Sequence, residues 1–527
     1  MALAVVLPAE VAQPGAGGVL RVGLPRLPAT LDPASATTGS ERVVFSQVFE
    51  GLVRLGEHGD LEPAVATRWS VSRDGLTWTF RLRPDARFHD GTPVTPRLAA
   101  ASLARHLAPL PPDHPLARAP VPAWTHVFRG PTAVVRDVRG EEPGAVQIHL
   151  KDPFSPLLAV LAHPALGIVL PQNDADLPFL GTGPYRVVER APGRLTLEAA
   201  ASAQTPRTPR LSFHEIGDDA TGIGGLKPGG SLDVYLCQSP PAWAGLGLQV
   251  LSAPTWRVGG LALRSDEGLF AKRTVRQAVL ASLDPALLHP ALGSWAEPWS
   301  TLVPPGAWAA REAPRPGHDP ARARRLLAEA RAASATLTLL VPESPSGPDL
   351  ARLADAIRIS LAVAGLTVRT RTESGDAYER ALRRGEAEAA LGETAFEIDD
   401  PHFTLKPLVA SDAATRGTAT NVAFYRSPAI DGLLLRASQL AFRPERLRLY
   451  QRLQIQLVEE LPYVPLYARR EWVVARPTVR GLRLEPDGRH RLDRVWVEVP
   501  VEAPPGLSPP GPPALPIPAS PALGAPR

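Results

Sequence analysis

The stretch FEIDDPHF, Phe396 to Phe403, places Glu397, Asp399 and Asp400 within four residues and follows them with Pro401 and His402. Carboxylates this close repel one another unless solvent, a metal ion, a cationic partner or a bound proton relieves them. Each form of relief implies a different chemistry. A hydrolase would use two carboxylates as acid and base or nucleophile, but such pairs usually arrive from separate elements, and neighbouring side chains diverge in extended chain. Asp399, Asp400 and His402 are acceptable ligands for a hard cation, and the plain alternative is a solvated surface loop. No HExxH, G-x-S-x-G, Walker loop or Rossmann glycine pattern accompanies them. Cys237 is the lone cysteine, which excludes an internal disulfide and a cysteine-built zinc site. The twelve histidines share no spacing. No metal and no cofactor is expected.

Positioning such a stretch requires a large scaffold, and the chain supplies one. Its 527 residues exceed what one core can hold and suit two or three domains. With 44% hydrophobic and 21% charged residues, the composition is that of a globular protein. Net charge is only +4 at a pI near 9.4, with no basic block, so no nucleic-acid partner is expected. Lysine is confined to Lys151, Lys227, Lys272 and Lys406, and no run of eighteen apolar residues occurs.

The elements alternate between strands and helices. Gly18 to Gly23 and Leu76 to Leu82 read as half-buried strands, the second with Leu76, Trp78, Phe80 and Leu82 on one face. Asp319-Pro320 caps an amphipathic helix carrying Ala323, Leu326, Leu327 and Ala330. Strand Thr336 to Val341, helix Leu350 to Ala364 and strand Leu366 to Thr372 then make a β-α-β unit, so the fold class is α/β. A long helix follows Pro444, with Leu447, Tyr450, Leu453, Ile455, Leu457 and Val458 as its apolar content, and stops before Pro462. In RTVRQAV, Val275, Ala278 and Val279 are core positions and Arg276 reads as a buried structural arginine. The proline-rich piece Ala108 to Trp124 reads as a surface excursion, and Pro500 to Arg527, with eleven prolines, as an extended tail. The first seventeen residues, with a short apolar run from Ala2 to Leu7 and no positive start, read as a clipped or misassigned export signal or a disordered leader.

Seven segments, in order, resemble one family: the extracytoplasmic solute-binding proteins of ABC importers, family 5, of the oligopeptide, dipeptide and nickel type. They are TLDPA (Thr30 to Ala34), VFEGLVRL (Val48 to Leu55), RWSVSRDGLTWTFRLRPDARFHDGTPVT (Arg68 to Thr95), GTGPYRVVE (Gly181 to Glu189), LFAKRTVRQAVLASLD (Leu269 to Asp284), HDPARARRLLAEA (His318 to Ala330) and LRLYQRLQIQLVEELPYVPLY (Leu447 to Tyr467). The segments run from Thr30 to Tyr467, and the resemblance as a whole covers roughly Gly18 to Val499. The resemblance implies a two-lobed, class C Venus-flytrap fold with an extra subdomain in lobe I. The expected division is 18–56, 180–259 and 472–499 for lobe I, 57–179 for its subdomain and 260–471 for lobe II. It also implies a monomeric, extracytoplasmic, non-enzymatic binding protein that closes on a peptide or similar cationic small solute and delivers it to membrane permease subunits.

In peptide-binding members the loop matching FEIDDPHF carries an aspartate that holds the peptide ammonium, preceded by a tryptophan. Asp400-Pro401 matches the family's Asp-Pro, which puts Glu397 at the ammonium-binding position and Glu393 near the tryptophan. Asp399 and Asp400 then become loop and turn residues at the lip of the cleft. Trp256 is a second cleft candidate, with a core position as the alternative. Thr37, Thr38 and Ser40, after the first strand, could donate to a ligand backbone or simply form a turn. Two other readings stay open: a hydrolase using Glu397, Asp399 and Asp400, and a cytoplasmic ligand sensor, which would need a DNA-binding domain ahead of Gly18, where this sequence carries seventeen residues.

Overall fold

The computed structural model describes residues 18–56, 59–109, 122–173, 177, 179–201, 205–241, 247–313, 317–343 and 347–498. The expected leader and tail lie outside them, as does most of the proline-rich piece after Ala108. Among the described residues, eleven strands join in one mixed sheet.

The first part of the chain opens with strand β1 (Val19–Leu24) and helix α1 (Gly39–Val48). Thr38 starts α1 through a capping box: its hydroxyl accepts from Glu41 N, and the Glu41 carboxylate accepts from Thr38 N. An antiparallel four-stranded sheet follows, made of β2 (Ala66–Val71), β3 (Thr77–Leu82), β4 (Val135–Arg139) and β5 (Ala145–Leu150) in the order β2-β3-β5-β4. The alternation in LTWTFRL is realised there, with Trp78 and Phe80 buried. Both belong to the same hydrophobic cluster as Leu20, Val22, Phe45 and Phe213, so this small sheet shares its core with the lobe that bears it. That lobe is completed by β6 (Tyr185–Ala191), β7 (Arg194–Ala199), β8 (Arg210–Glu215) and β9 (Val234–Leu236). GTGPY turns into β6 under a tight constraint, because a Cβ on Gly181 or Gly183 would stand 2.0 or 2.6 Å from the backbone of Val48.

The fifteen-residue strand β10 (Gln249–Leu263) leads into the second lobe. Helix α2 (Arg273–Ser282) buries Val275, Ala278 and Val279, and Arg276 is the structural arginine the sequence suggests, donating to the carbonyls of Glu460, Phe270 and Ala271. Helix α3 (Pro320–Glu329) is capped by Asp319. Then come β11 (Thr336–Pro342), α4 (Leu350–Ala364), β12 (Thr367–Glu373), α5 (Gly375–Arg384) and β13 (Ala389–Ala395). Helix α6 (Pro401–Val409), helix α7 (Arg443–Glu460) and strand β14 (Tyr463–Ala475) follow. Ile455 departs from the expected apolar face of α7: it is 45% exposed, on the side away from buried Tyr450, Leu453 and Leu457.

The strand order is β6-β7-β8-β1-β9-β14-β10-β13-β11-β12, and the eleventh strand, the short Ala296–Pro298, pairs with β14 off this path. Parallel strands β8, β1 and β9 belong to the first lobe, and parallel β13, β11 and β12 to the second. The antiparallel pair β10/β14 lies between the two sets in the sheet and spans both, β14 pairing with β9 and β10 with β13. Fifteen residues at about 3.3 Å each reach far enough to do so. From β11 the chain passes through α4 to β12 on one side and then through α5 to β13 on the other. Leu339 and Val341 face α4 through Leu353 and Ile357, whereas Leu340 faces α5 through Tyr378 and Ala381. This doubly wound arrangement creates a switch point between β11 and β13, whose pairing stops after Leu340 and Ala390. Ligand crevices of open α/β sheets form at such points, outside the carboxyl ends of the strands.

Candidate functional site

The carboxyl ends of both lobes converge on the middle of β10. Leu236, the last residue of β9, lies opposite Val473, which lies opposite Leu251; Ala395, the last residue of β13, lies opposite Arg257. Between them the β10/β14 register slips, from Pro254 to Val258. FEIDDPHF is the chain that leaves β13 at this junction and enters α6.

Its residues divide between scaffold and cleft. Asp400 is scaffold: it caps α6 by accepting from His402 N at 3.0 Å, and Arg446 Nη2 donates to its two oxygens at 2.8 and 2.6 Å. Tyr450 OH stands 3.4 Å from the same carboxylate. The Asp400 side chain is 2% exposed and that of Arg446 7%, so the solvated-loop alternative is wrong for this residue. His402 is buried between Phe154 and Phe403, and burial pushes it down to about 3, leaving it neutral.

Asp399 turns the other way, as neighbours in extended chain do. Its Oδ1 accepts from Trp308 N at 3.3 Å and its backbone carbonyl from the Trp308 indole at 3.0 Å. The carboxyl packs under Gly59 of the first lobe, where an added Cβ would lie 2.7 Å from Oδ2. Arg443, at the start of α7, completes this contact between lobes by donating to Gly59 O at 2.8 Å and Asp60 Oδ1 at 2.5 Å while stacking on Trp308. Asp399 and Asp400 therefore share no partner and form no acid pair. Burial pushes Asp399 up to about 7, against the hydrogen bond from Trp308, with the Asp487 charge adding to the rise. A carboxyl raised in the folded state stabilises fully below its ordinary value of 3.8 and loses that contribution as pH rises through about 7. Asp399→Asn is thus expected to match the parent in melting temperature below about pH 4 and to exceed it by an amount that grows and levels off above about pH 7. Melts across that range check this; an offset independent of pH contradicts it.

Glu397, like Asp399, faces the first lobe, there beside Ala123. It is half-buried, its Oε2 lies 3.4 Å from Ala123 N, and Arg42 of α1 and Arg257 of β10 are the charges around it. Burial raises its pKa and outweighs the pull of Arg42. Arg42 is itself half-buried and held by the carbonyls of Asp487 and Thr37.

The remaining candidates belong to the framework. Thr38 is spent on the capping box of α1, its hydroxyl 3.0 Å from Glu41 Oε2. Trp256 is 5% exposed and lies in the core with Val258, Leu405 and Tyr450. Its backbone ties the lobes together, donating to Pro486 O at 3.0 Å and accepting from Phe396 N at 2.8 Å.

A cavity of about 830 Å³ opens at the switch point, lined by Arg257, Tyr378, Glu393, Phe396, Tyr467 and Arg469 among others. That volume is in the range of ligand pockets. Three strands build its wall in register: Glu393, Gly259 and Tyr467 lie side by side on β13, β10 and β14. Gly259 is required there, since a Cβ would meet the Tyr467 ring at 2.0 Å. With that space open, the Tyr467 hydroxyl reaches Glu393 at 3.5 Å. Arg257, Tyr467 and Arg469 had no signal of their own in the sequence. Among the described residues, no group of three or more His, Cys, Asp or Glu is placed to hold a metal ion, and no helix is long and apolar enough to cross a membrane.

The family model of the bacterial extracellular solute-binding proteins, family 5, middle region, matches residues 60–416. The chain belongs to this family. Its role is therefore that of a solute-binding protein, and the family is one of binding proteins rather than enzymes. The glutathione-binding protein of Escherichia coli (strain K12) is 26% identical over 480 residues, covering 87% of this solute-binding protein and 90% of the relative. Among solved structures, HbpA2 from Haemophilus parasuis superposes with a TM-score of 0.81 at 21% identity, over 92% of this chain and 100% of its own. The periplasmic binding protein DppA from Helicobacter pylori, in complex with the peptide STSA, gives 0.66 at 22% identity, over 92% and 98%. These structural likenesses establish the two-lobed α/β fold.

Proposed function

We propose that this solute-binding protein captures a short peptide, or a similar small solute bearing an amine, in the cleft between its lobes and delivers it to the permease of an ABC importer. The observation that carries this reading is the position of Glu397, an acid presented by the second lobe toward the first, beside a ligand-sized cavity at the carboxyl ends of the strands. A solute ammonium placed there would favour the ionised carboxylate that burial alone disfavours. Relatives described as binding glutathione or peptides support the solute class.

Closure follows from the topology. Ligand contacts with both lobes favour the closed arrangement, and β10 and β14 are the elements about which the lobes turn. The division runs through these strands: 18–56, 180–259 and 472–499 as lobe I, 57–179 as its subdomain and 260–471 as lobe II. Trp256 and the Arg443–Asp60 contact sit where that motion is governed, so they act on closure rather than on the solute. The protein works outside the cytoplasm, as a single copy. Native mass spectrometry of freshly purified full-length protein tests the reading. The expected result is one retained small molecule with a free amine; no retained molecule, together with no thermal stabilisation by a pool of short peptides, would overturn it.

A further inference from the structure

The second lobe meets the subdomain 57–179 along a seam that leaves the switch-point cavity untouched. Asp399 and Arg443 hold Gly59 and Asp60 there, and Ser155 makes a further tie. The helix Pro428–Gln439 of the second lobe ends, like any helix, in carbonyls without partners inside it. Arg446 takes Ala437 O from within the lobe. Ser438 O instead accepts from Ser155 N at 2.8 Å, and the Ser155 hydroxyl, with one hydrogen, is shared between Ser438 O at 2.9 Å and Leu440 O. A helix of one lobe is thus capped by a residue of the other. Beside the cap the contact is dry. Phe154 lies edge-to-face with His402 and Phe403 of α6, at ring separations of 5.2 and 6.2 Å. Ile398 is 2% exposed and belongs to the hydrophobic cluster of the first lobe and its subdomain, although Phe396, two residues earlier, belongs to that of the second. Phe403 packs on the first-lobe cluster too. None of Phe154, Ser155, Ile398, Phe403 and Ser438 lines the cavity.

We infer that the subdomain is a clasp: through Phe154 and Ser155 it packs and caps the second lobe, and so holds the two lobes closed before any solute arrives. Parting the lobes at this seam returns Ile398, Phe154 and Phe403 to water, which is unfavourable in proportion to the apolar area exposed. It also uncovers the carbonyls of Ser438 and Leu440. Those groups and Ser155 N–H regain hydrogen bonds from water, so the cap adds less than the dry contact does. The pair β10/β14 lets the lobes turn, and the clasp sets where they rest. A solute then adds its own contacts to an existing bias instead of creating the closed arrangement, and its entry waits on spontaneous opening. The inference rests on lobe closure as the mode of capture and is independent of the solute's chemistry.

The test reads the lobes without solute. Full-length protein is freed of retained molecules by partial denaturation and dialysis, with native mass spectrometry as the check. On a Cys237→Ser background it carries spin labels at two exposed positions, Lys227→Cys in the first lobe and Arg325→Cys in the second; a second pair joins Arg73→Cys in the subdomain to Arg325→Cys. Pulsed electron resonance is expected to give one main distance for each pair in the parent, the distance this structure sets. Ser155→Ala, which removes only a hydroxyl, is expected to raise the open-to-closed ratio by about tenfold. Combined with Ile398→Ser it is expected to place at least about half of the molecules at a longer distance in both pairs. A longer distance held by most of the unliganded parent overturns the inference. So does a double variant, folded by circular dichroism, that keeps the parent distances, or one in which the first-lobe pair lengthens and the subdomain pair does not, because the subdomain then travels with the second lobe. If the double variant does not fold, the parent and Ser155→Ala decide: no rise in the longer distance for Ser155→Ala overturns the clasp. A protein that binds no peptide leaves every one of these distances as it is, so the failure of the peptide reading and the failure of the clasp are told apart.

Discussion

Asp400→Ala is expected to destabilise the second lobe by about 3–5 kcal/mol, the largest stability loss for any single change in FEIDDPHF. The reason is what the substitution leaves behind. Arg446 stays buried at the contact between α6 and α7, where Asp400 supplies the opposing charge and raises the arginine's pKa against a burial that would lower it. Its Nε still reaches Ala437 O at 2.8 Å, and Trp308 and Tyr450 still lie against it. A buried guanidinium without its carboxylate bears the desolvation cost uncompensated, and α6 loses its cap, worth about 1 kcal/mol. Replacing both partners with apolar residues should be much milder than either single change, because an empty pair of positions costs less than an orphaned charge. Urea denaturation of Asp400→Ala, Arg446→Met and the double variant measures this. A loss under about 1 kcal/mol for Asp400→Ala, the scale of an exposed ion pair, would contradict it.

Glu397→Gln is expected to have the largest effect on binding. If an ammonium pairs with Glu397 inside the closed cleft, removing the charge while keeping the shape should weaken an amine-bearing solute by well over tenfold, about 1.4 kcal/mol or more. Stability should barely change, since Glu397 forms no close ion pair with Arg42 or Arg257 and, among the described residues, accepts only a long hydrogen bond from Ala123. Glu397→Asp keeps the charge but withdraws it by one methylene, so it should fall between the parent and the glutamine variant. The contrast with Asp400 is instructive: two carboxylates three residues apart, one expected to move stability and the other affinity.

Local signals made the scaffold readable. The helix expected over Leu350 to Ala364 has those bounds because Asp349 caps one end and Gly365, at φ 101°, terminates the other. The β-α-β unit was legible from its apolar pattern, and Arg276 from its setting among core positions. The site was less legible because its partners are distant in sequence. Nothing around Asp400 announces Arg446, which lies 46 residues on in a helix read for its apolar content. Trp256 is a candidate cleft wall by sequence, yet the β10 alternation places it in the core, and its neighbour Arg257 lines the cavity. Glu393 could be placed near the family's tryptophan from the Asp-Pro spacing, but Arg257 and Arg469, which donate to it, come from other strands, and only the register of the sheet brings them together. Thr38 was legible as a polar residue after the first strand; its capping role depends on Glu41, three residues on, forming the box.

The most direct test of solute capture by Glu397 is titration calorimetry of the full-length protein with the free-amine peptide pool and with its N-acetylated counterpart, repeated for Glu397→Gln. One site should bind the free-amine peptides at least about tenfold more tightly than the acetylated ones, and the variant should lose that difference. Equal affinity for the free and acetylated pools, unchanged by Glu397→Gln, would contradict the account.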